Sequence, residues 1–303
     1  MACPLRLGTR GSPLALWQAN MVADALRSVH GLGGQAIEIV PIRTTGDQVQ
    51  DRALAEIGGK ALWTKELDRA LLEGEIDFAV HSMKDVETIR PAEIVIAAMP
   101  PRADTRDRLI GADSLAALPT NARVGTSSPR RAAQVRRARP DAQILLFRGN
   151  VDTRLRKLAA GEADATLLAA AGLERLGRND VGTALDDMLP APAQGAVGIE
   201  ARADDVEILG LLAAIDHKPT SLCVRAERAL LAALGADCRS PVAARAQLAL
   251  GQIHLRAEIL TEDGSQFQAG EIVFPFHEDN TPAALAHILL DRAGPALRGL
   301  FAV

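Results

Sequence analysis

The sequence predicts an α/β chain of two related units, followed by a small α+β unit. Three observations carry this prediction. Short apolar runs alternate with amphipathic stretches of helical period through the first two-thirds of the chain. Motifs also return in the same order: LGTRGSPLALWQ at 7–18 is echoed by VGTSSPRRAAQ at 124–134, IEIVPIRTTGD at 37–47 loosely by ILLFRGNVDTR at 144–154, and EGEID at 73–77 by AGEAD at 160–164. Unequal spacing argues for two units of related plan and against a short tandem repeat. Beyond Pro219 the pattern changes to one helix, three strand candidates and a closing helix, with Asp263-Gly264 at a hairpin turn.

Residues 5–9 read as a strand that turns at Arg10 and Gly11. Ser12 suits an N-cap and Pro13 a first helical position, with Leu14, Leu16, Trp17, Met21, Val22, Ala25 and Leu26 as the apolar surface of the helix. Gly31 to Gly34 break it, and a strand over 37–42 follows. The stretch from Gln48 to Lys60 is polar, with Gly58 and Gly59 near its end. It reads equally as a cover over a site or as an ordinary surface helix and turn. An amphipathic helix over 62–72 leads to Gly74 and the segment Glu75 to Val86, EIDFAVHSMKDV. This apolar strand delivers His81, Ser82, Lys84 and Asp85 where strand gives way to loop, the edge at which open α/β sheets hold ligands. Lys84 and Asp85 cannot both be hidden without partners, so the ending is either a solvated turn or a site.

A strand over 93–98 precedes Pro100-Pro101 and the polar run 102–108, which reads as a crossing. The second unit closes near Gly182, and LPAPAQ at 189–194 reads as another crossing. The strand in GAVGIEAR and the helix over 206–215 return to the first unit. The expected partition is 1–99 with 196–216, then 103–193, then 218–303. In the last unit Thr220 or Ser221 caps a helix through Leu234; strands over 242–250, 252–260 and 266–276 and a helix over 282–290 complete it.

The 303 residues carry a formal charge of -4, which gives no overall attraction for nucleic acid or an anionic membrane. There is no Tyr, and two Trp are too few for a base-stacking platform. Three cysteines, no signal-like start and no run long enough to span a bilayer point to a cytoplasmic enzyme or binding protein. Six scattered histidines show no metal-binding spacing, and neither a dinucleotide fingerprint nor a phosphate loop is present. Positive charge is segregated: residues 121–160 hold nine Arg and one Lys against two Asp, a formal +8. Arg130 and Arg131 fall in the first turn of a helix capped by Ser127 or Ser128, where arginine opposes the helix dipole unless its side chain reaches a ligand or a carboxylate. Arg10 with Ser12 matches this in the first unit, while Arg148, Arg154 and Arg175 add cations suited to several carboxylates. Nucleic acid and a solvated basic face are the competing readings. Cys238, in the loop LGADCRSP, is either an inert thiol or an attachment point.

Eight ordered motifs then decide: TRGSPLALWQA at 9–19, GGKALWTKEL at 58–67, AVHSMKDV at 79–86, GTSSPRRAAQ at 125–134, RGNVDTRLRKL at 148–158, AAAGLERLG at 169–177, PAPAQGAVGIE at 190–200 and ERALLAALGADC at 227–238. Through them the chain resembles, nearly end to end, the hydroxymethylbilane synthase (porphobilinogen deaminase) family. The resemblance implies two lobes like those of periplasmic binding proteins, a third domain, and a dipyrromethane cofactor joined to Cys238 as a thioether. It implies Asp85 as the catalytic aspartate, with Arg10, Ser12, Lys84, Arg130, Arg131, Arg148, Arg154 and Arg175 binding substrate and cofactor carboxylates, and Ser82, Thr126, Ser128 and Gln194 as helpers. The implied activity joins four porphobilinogen molecules to that primer and releases 1-hydroxymethylbilane. The implied setting is a cytoplasmic monomer that passes its product to uroporphyrinogen-III synthase. The polar, glycine-ended composition of 48–60 then suits a partial lid that includes Gln48, Gly58, Gly59 and Lys60. Ala193 stands where the family usually has Gly, and Asp237, Arg239 and Ser240 depart from its usual residues around the cysteine.

Overall fold

The computed structural model describes residues 4–44, 64–278 and 280–301. The lid residues Gln48, Gly58, Gly59 and Lys60 lie outside them. The chain first forms β1 (Leu5–Arg10), α1 (Pro13–His30), β2 (Ile37–Ile42), α2 (Lys65–Leu72), β3 (Phe78–Ser82) and β4 (Ile94–Ala98). Next come β5 (Asp107–Ile110), β6 (Arg123–Thr126), α3 (Pro129–Ala138), β7 (Gln143–Leu146), α4 (Val151–Ala159), β8 (Ala165–Ala169), α5 (Ala170–Arg175) and β9 (Thr183–Leu185). β10 (Val197–Arg202), α6 (Val206–Ala213), α7 (Lys218–Ala233), β11 (Val242–Ala249), β12 (Gln252–Leu260), β13 (Phe267–Pro275), α8 (Thr281–Arg292) and α9 (Pro295–Arg298) complete it. Two compact units result: of the described residues, 4–44, 64–103 and 195–221 fall in one, 104–194 and 222–301 in the other. Among the described residues no helix is long and apolar enough to cross a membrane.

The first sheet has the order β2-β1-β3-β10-β4 and the second β7-β6-β8-β5-β9. In each, the first three strands are parallel and the fourth runs antiparallel to its neighbours. The sequence echo is therefore a topological one, with β1 answering to β6, β2 to β7 and β3 to β8. The origin of the fourth strand differs. β5 opens the second unit, whereas β10 reaches the first sheet about a hundred residues after β4 and inserts between β3 and β4.

α1 starts as its sequence requires: Ser12 Oγ accepts from the Ala15 N–H at 3.3 Å, Pro13 follows, and Gly31 ends the helix in the left-handed region at φ 63°. The buried face is rotated from the expected one. Ala15, Gln18, Ala19, Val22, Ala23 and Leu26 are buried, while Trp17 is exposed. Alanines at 15, 19 and 23 form a narrow strip on which the helix lies close to the sheet, so the larger side chains flank the contact. The core beneath it joins Leu7, Phe78, Val80, Val197 and Ile199.

Residues 107–110, expected to belong to a polar crossing, are strand β5. Asp107 and Leu109 point inward and Arg108 and Ile110 lie less buried, so period-two alternation is present with a carboxylate in an interior position. The helix expected to be capped by Thr220 or Ser221 begins earlier, at Lys218. Both hydroxyls are engaged elsewhere: Thr220 Oγ1 accepts from the Arg102 N–H at 3.0 Å, and Ser221 Oγ donates to Asp216 Oδ1 at 2.5 Å. β11, β12 and β13 form an antiparallel meander. Its core gathers Leu230, Leu231, Leu255, Ile259, Leu285 and Leu289 from the sheet and from α7 and α8. Gly264 makes the turn between β12 and β13 at φ 73°.

Candidate functional site

In the first unit the parallel register Gly8↔Ala79 brings the carboxyl ends of β1 and β3 to one edge. Arg10, Ser12, Ser82, Lys84 and Asp85 gather there. Ser82 ends β3, and Met83–Asp85 form a single 3-10 turn in which Lys84 and Asp85 stay half-buried. The root of that turn is fixed. Met83 is buried, and its N–H donates to the Ala196 carbonyl at 3.1 Å. A Cβ on Gly198 would stand 1.9 Å from Met83 Sδ, so glycine in β10 is what allows the thioether to lie against the strand. Gln18, buried on α1, donates from Nε2 to Ser82 Oγ at 2.9 Å and fixes the hydroxyl next to the turn.

In the second unit β6 and β7 run parallel with Thr126↔Leu146, so Thr126, Ser128 and Arg148 leave the sheet at one edge. Thr126 Oγ1 accepts from the Ser128 N–H at 3.1 Å, and Ser128 Oγ caps α3 through the Arg131 N–H at 3.4 Å. Asn150 Oδ1 caps α4 through the Thr153 N–H at 2.9 Å, which sets Arg154 in the first turn. Arg154 donates to the Gly149 carbonyl at 3.0 Å and to Ser127 Oγ at 3.1 Å. Arg148 and Arg175 are buried. Burial draws the Arg175 guanidinium below its ordinary value, with Glu174 opposing.

Arg130, Arg131 and Gln194 face inward together, onto Asp107. Arg130 Nη1 donates to Asp107 Oδ2 at 2.7 Å, Arg131 Nη2 and Nε to Oδ1 at 2.7 and 3.2 Å, and Gln194 Nε2 to Oδ1 at 2.9 Å. Asp107 is fully buried. Its burial pushes the carboxyl up, but the two guanidiniums overcome this and hold it well below the usual carboxylate range. For Arg130, burial and the like charge of Arg131 act downward against Asp107. The carboxylate that reconciles two first-turn arginines with the helix dipole is thus the protein's own. Two guanidiniums on one carboxylate leave one positive charge in excess, and Arg130 Nε is buried without a hydrogen-bond partner.

Cys238 is an exposed cysteine in the loop between α7 and β11. Its unusual neighbours close the loop on itself. The Arg239 N–H donates to Asp237 Oδ1 at 2.8 Å, its guanidinium pairs with Oδ2 at 2.7 Å, and Ser240 Oγ accepts from the Asp237 N–H at 3.1 Å. At the crossing before it, Ala193 adopts the left-handed region at φ 61°, and its N–H donates to the buried Glu227 Oε2 at 2.5 Å.

Sequence reasoning assigned nothing to Asp107, Gln18 or Glu200. Gln18 could have been found as a polar residue on the small-residue face of α1. Asp107 could have been found from the D-R-L-I alternation. Among the described residues no group of three or more His, Cys, Asp or Glu side chains is arranged to hold a metal ion.

Comparison with known proteins gives two family matches: the porphobilinogen deaminase dipyromethane cofactor binding domain over residues 5–210 and the porphobilinogen deaminase C-terminal domain over residues 221–287. A porphobilinogen deaminase from Sphingopyxis alaskensis is 61% identical, covering 99% of this chain and 97% of its own length. One from Paracoccus denitrificans is 52% identical, covering 90% of this chain and 88% of its own length.

Proposed function

Because the chain belongs to the porphobilinogen deaminase family, we propose that Asp85 is the carboxylate that carries its reaction, with Cys238 as the attachment point of its cofactor. The activity is that of a hydroxymethylbilane synthase, a transferase of tetrapyrrole and heme biosynthesis. Four porphobilinogen molecules are condensed with loss of ammonia, and 1-hydroxymethylbilane is released by hydrolysis. The observation that carries the residue assignment is the half-buried Lys84–Asp85 turn at the carboxyl edge of the first sheet, rooted by Met83.

The residues present fit the dipyrromethane group. Cys238 offers an exposed thiol for the thioether, and the Asp107 centre has one cationic charge in excess and a buried donor at Arg130 Nε. When bound, the dipyrromethane supplies the nucleophilic pyrrole carbon that receives the first substrate. Asp85 accepts hydrogen bonds from the substrate pyrrole N–H and offsets the positive charge that develops as the aminomethyl arm loses ammonia. It then assists removal of the pyrrole proton after carbon–carbon bond formation. Lys84, Arg10, Ser12 and Ser82 orient the acetate and propionate arms, which makes the encounter effectively unimolecular. Thr126, Ser128, Arg148, Arg154 and Arg175 receive further carboxylates, with Arg130, Arg131 and Gln194 as the cationic centre behind them.

Three domains with the boundaries 1–99 with 196–216, 103–193 and 218–303, a monomer, a cytoplasmic setting, a lid over 48–60 and transfer of product to uroporphyrinogen-III synthase complete the reading. Turnover of porphobilinogen by Asp85→Asn tests its centre. A fall in kcat of about 100-fold or more is expected; ammonia release at the wild-type rate would exclude Asp85 from the chemistry.

A further inference from the structure

The segment carrying Asp85 leaves the first sheet at Ser82 and rejoins it at Ile94. The stretch from His81 to Arg90 returns at both ends to one side chain, Glu200 of β10. At its start, His81 Nε2 stands 3.0 Å from Glu200 Oε2, a close contact outside the angle of a formed hydrogen bond. At its end, Arg90 Nε donates to Glu200 Oε1 at 2.7 Å and Nη2 to Oε2 at 3.0 Å, a two-pronged contact. Arg90 also reaches Asp68 of α2 through Nη2 at 2.5 Å and Glu87 through Nη1 at 3.4 Å. The Glu200 side chain is fully buried and that of Arg90 is 7% exposed, so neither is placed to meet a ligand.

We propose that Glu200 and Arg90 are positioning residues that hold the Lys84–Asp85 turn in its working geometry from both ends. This role rests on the reading of Asp85 as the reacting carboxylate. The physical basis is the composition of the cluster. A carboxylate with no solvent contact keeps its charge only through close cations, and Arg90 is its two-pronged partner. Arg90 in turn faces three carboxylates, the buried Glu200 and the partly buried Asp68 and Glu87, so it cannot swing away without breaking all three contacts and leaving Glu200 without its two-pronged cation. The ends of the His81–Arg90 stretch are therefore fixed to one atom group in the central part of the sheet. Met83, seated over Gly198, fixes the first residue of the turn. Three anchors in ten residues leave the turn little freedom, which is what a carboxylate acting on a reacting pyrrole requires, since a displacement of about 1 Å can cost on the order of 100-fold in rate.

The test uses the loaded enzyme with Arg90→Gln, Arg90→Lys and Asp85→Asn, reading kcat and KM per cofactor-bearing molecule and amide hydrogen exchange over 82–88. Intact mass gives the loaded fraction. For Arg90→Gln the expected result is a kcat about 10- to 100-fold lower, KM within about 3-fold of wild type and faster exchange confined to the first unit around 82–88. Arg90→Lys, which keeps the cation but not the two prongs, recovers part of kcat. Wild-type kcat per loaded molecule overturns the proposal, whether or not exchange changes, as does lowered kcat with unchanged exchange. If Arg90→Gln does not fold, Arg90→Lys is read by the same criteria. Wild-type turnover in Asp85→Asn overturns the reading of Asp85 alone, and exchange and kcat in the Arg90 variants still decide the clamp.

Discussion

Asp107 Oδ2 accepts a hydrogen bond from Arg130 Nη1 at 2.7 Å with both side chains withdrawn from solvent. Arg131 and Gln194 share the other oxygen. Asp107→Asn would leave two guanidiniums buried without their counter-charge, and a loss of about 3–5 kcal/mol is expected on the scale of broken buried pairs. Chemical denaturation of the cofactor-bearing protein measures it. The pH dependence has a definite sign. The folded-state value of Asp107 lies below the unfolded one, so its contribution is fully present above about pH 4 and is lost as pH falls through the depressed folded value. Below about pH 4, wild-type stability should fall with a steeper slope than that of Asp107→Asn; parallel slopes would show that the fold does not lower the Asp107 carboxyl.

Gly198→Ala places a methyl 1.9 Å from Met83 Sδ. Either β10 or the thioether must move, at a cost of about 1–3 kcal/mol for overpacking. Because Met83 is the root of the Lys84–Asp85 turn, the proposed role of Asp85 predicts that kcat falls with stability. Adding Met83→Ala makes room, so the double variant should lose less than the sum of the two single losses, a coupling visible in a double-mutant cycle. Simple additivity would mean that the strand absorbs the methyl without touching Met83.

Ala193 carries a side chain in the left-handed region, which costs about 1–2 kcal/mol relative to glycine. Glycine adds chain entropy to the unfolded state worth about 0.4–1 kcal/mol. Ala193→Gly is thus expected to raise stability by up to about 1.6 kcal/mol, read as a higher midpoint in thermal unfolding. A lower midpoint would mean that the stiffer alanine is needed to present its N–H to Glu227.

Cys238→Ser removes the thiol while the Asp237–Arg239 pair and Ser240 still close the loop. Intact mass should show the unmodified chain with dipyrromethane attached and the variant without it. An equal mass increment on both would move the attachment elsewhere.

Local rules carried much of the fold. Ser12-Pro13 and Ser128-Pro129 mark the starts of α1 and α3, and Asp263-Gly264 marks the last hairpin turn, because caps and turns depend on neighbours within a few residues. β5 was hidden because an inward-facing aspartate reads as loop until its partners, 23 and 24 residues away, are known. The Glu200 cluster was hidden for the same reason at longer range: Arg90 and Glu200 are 110 residues apart in the chain. The buried face of α1 is turned from the expected one because close approach to a sheet favours alanine, at 15, 19 and 23, over larger apolar side chains. For the site, the motif residues could be named from sequence, but whether a cation faces a ligand or an internal carboxylate depends on which strand lies beneath it.

β10 has one more consequence, for the order in which the polypeptide emerges during synthesis. β3 and β4 both pair with a strand that begins at Val197, so after Ala98 the ribosome must add about a hundred residues before the gap between them is filled. At about 5–20 residues per second this is an interval of roughly 5–20 s, with the sides of β3 and β4 that await β10 open to other chains. A nascent chain stalled at residue 194 is therefore expected to bind chaperones more strongly than one stalled far enough beyond residue 216 for β10 to have left the exit tunnel. Ribosome-bound pull-down would register this as a drop in chaperone occupancy once β10 is free of the exit tunnel.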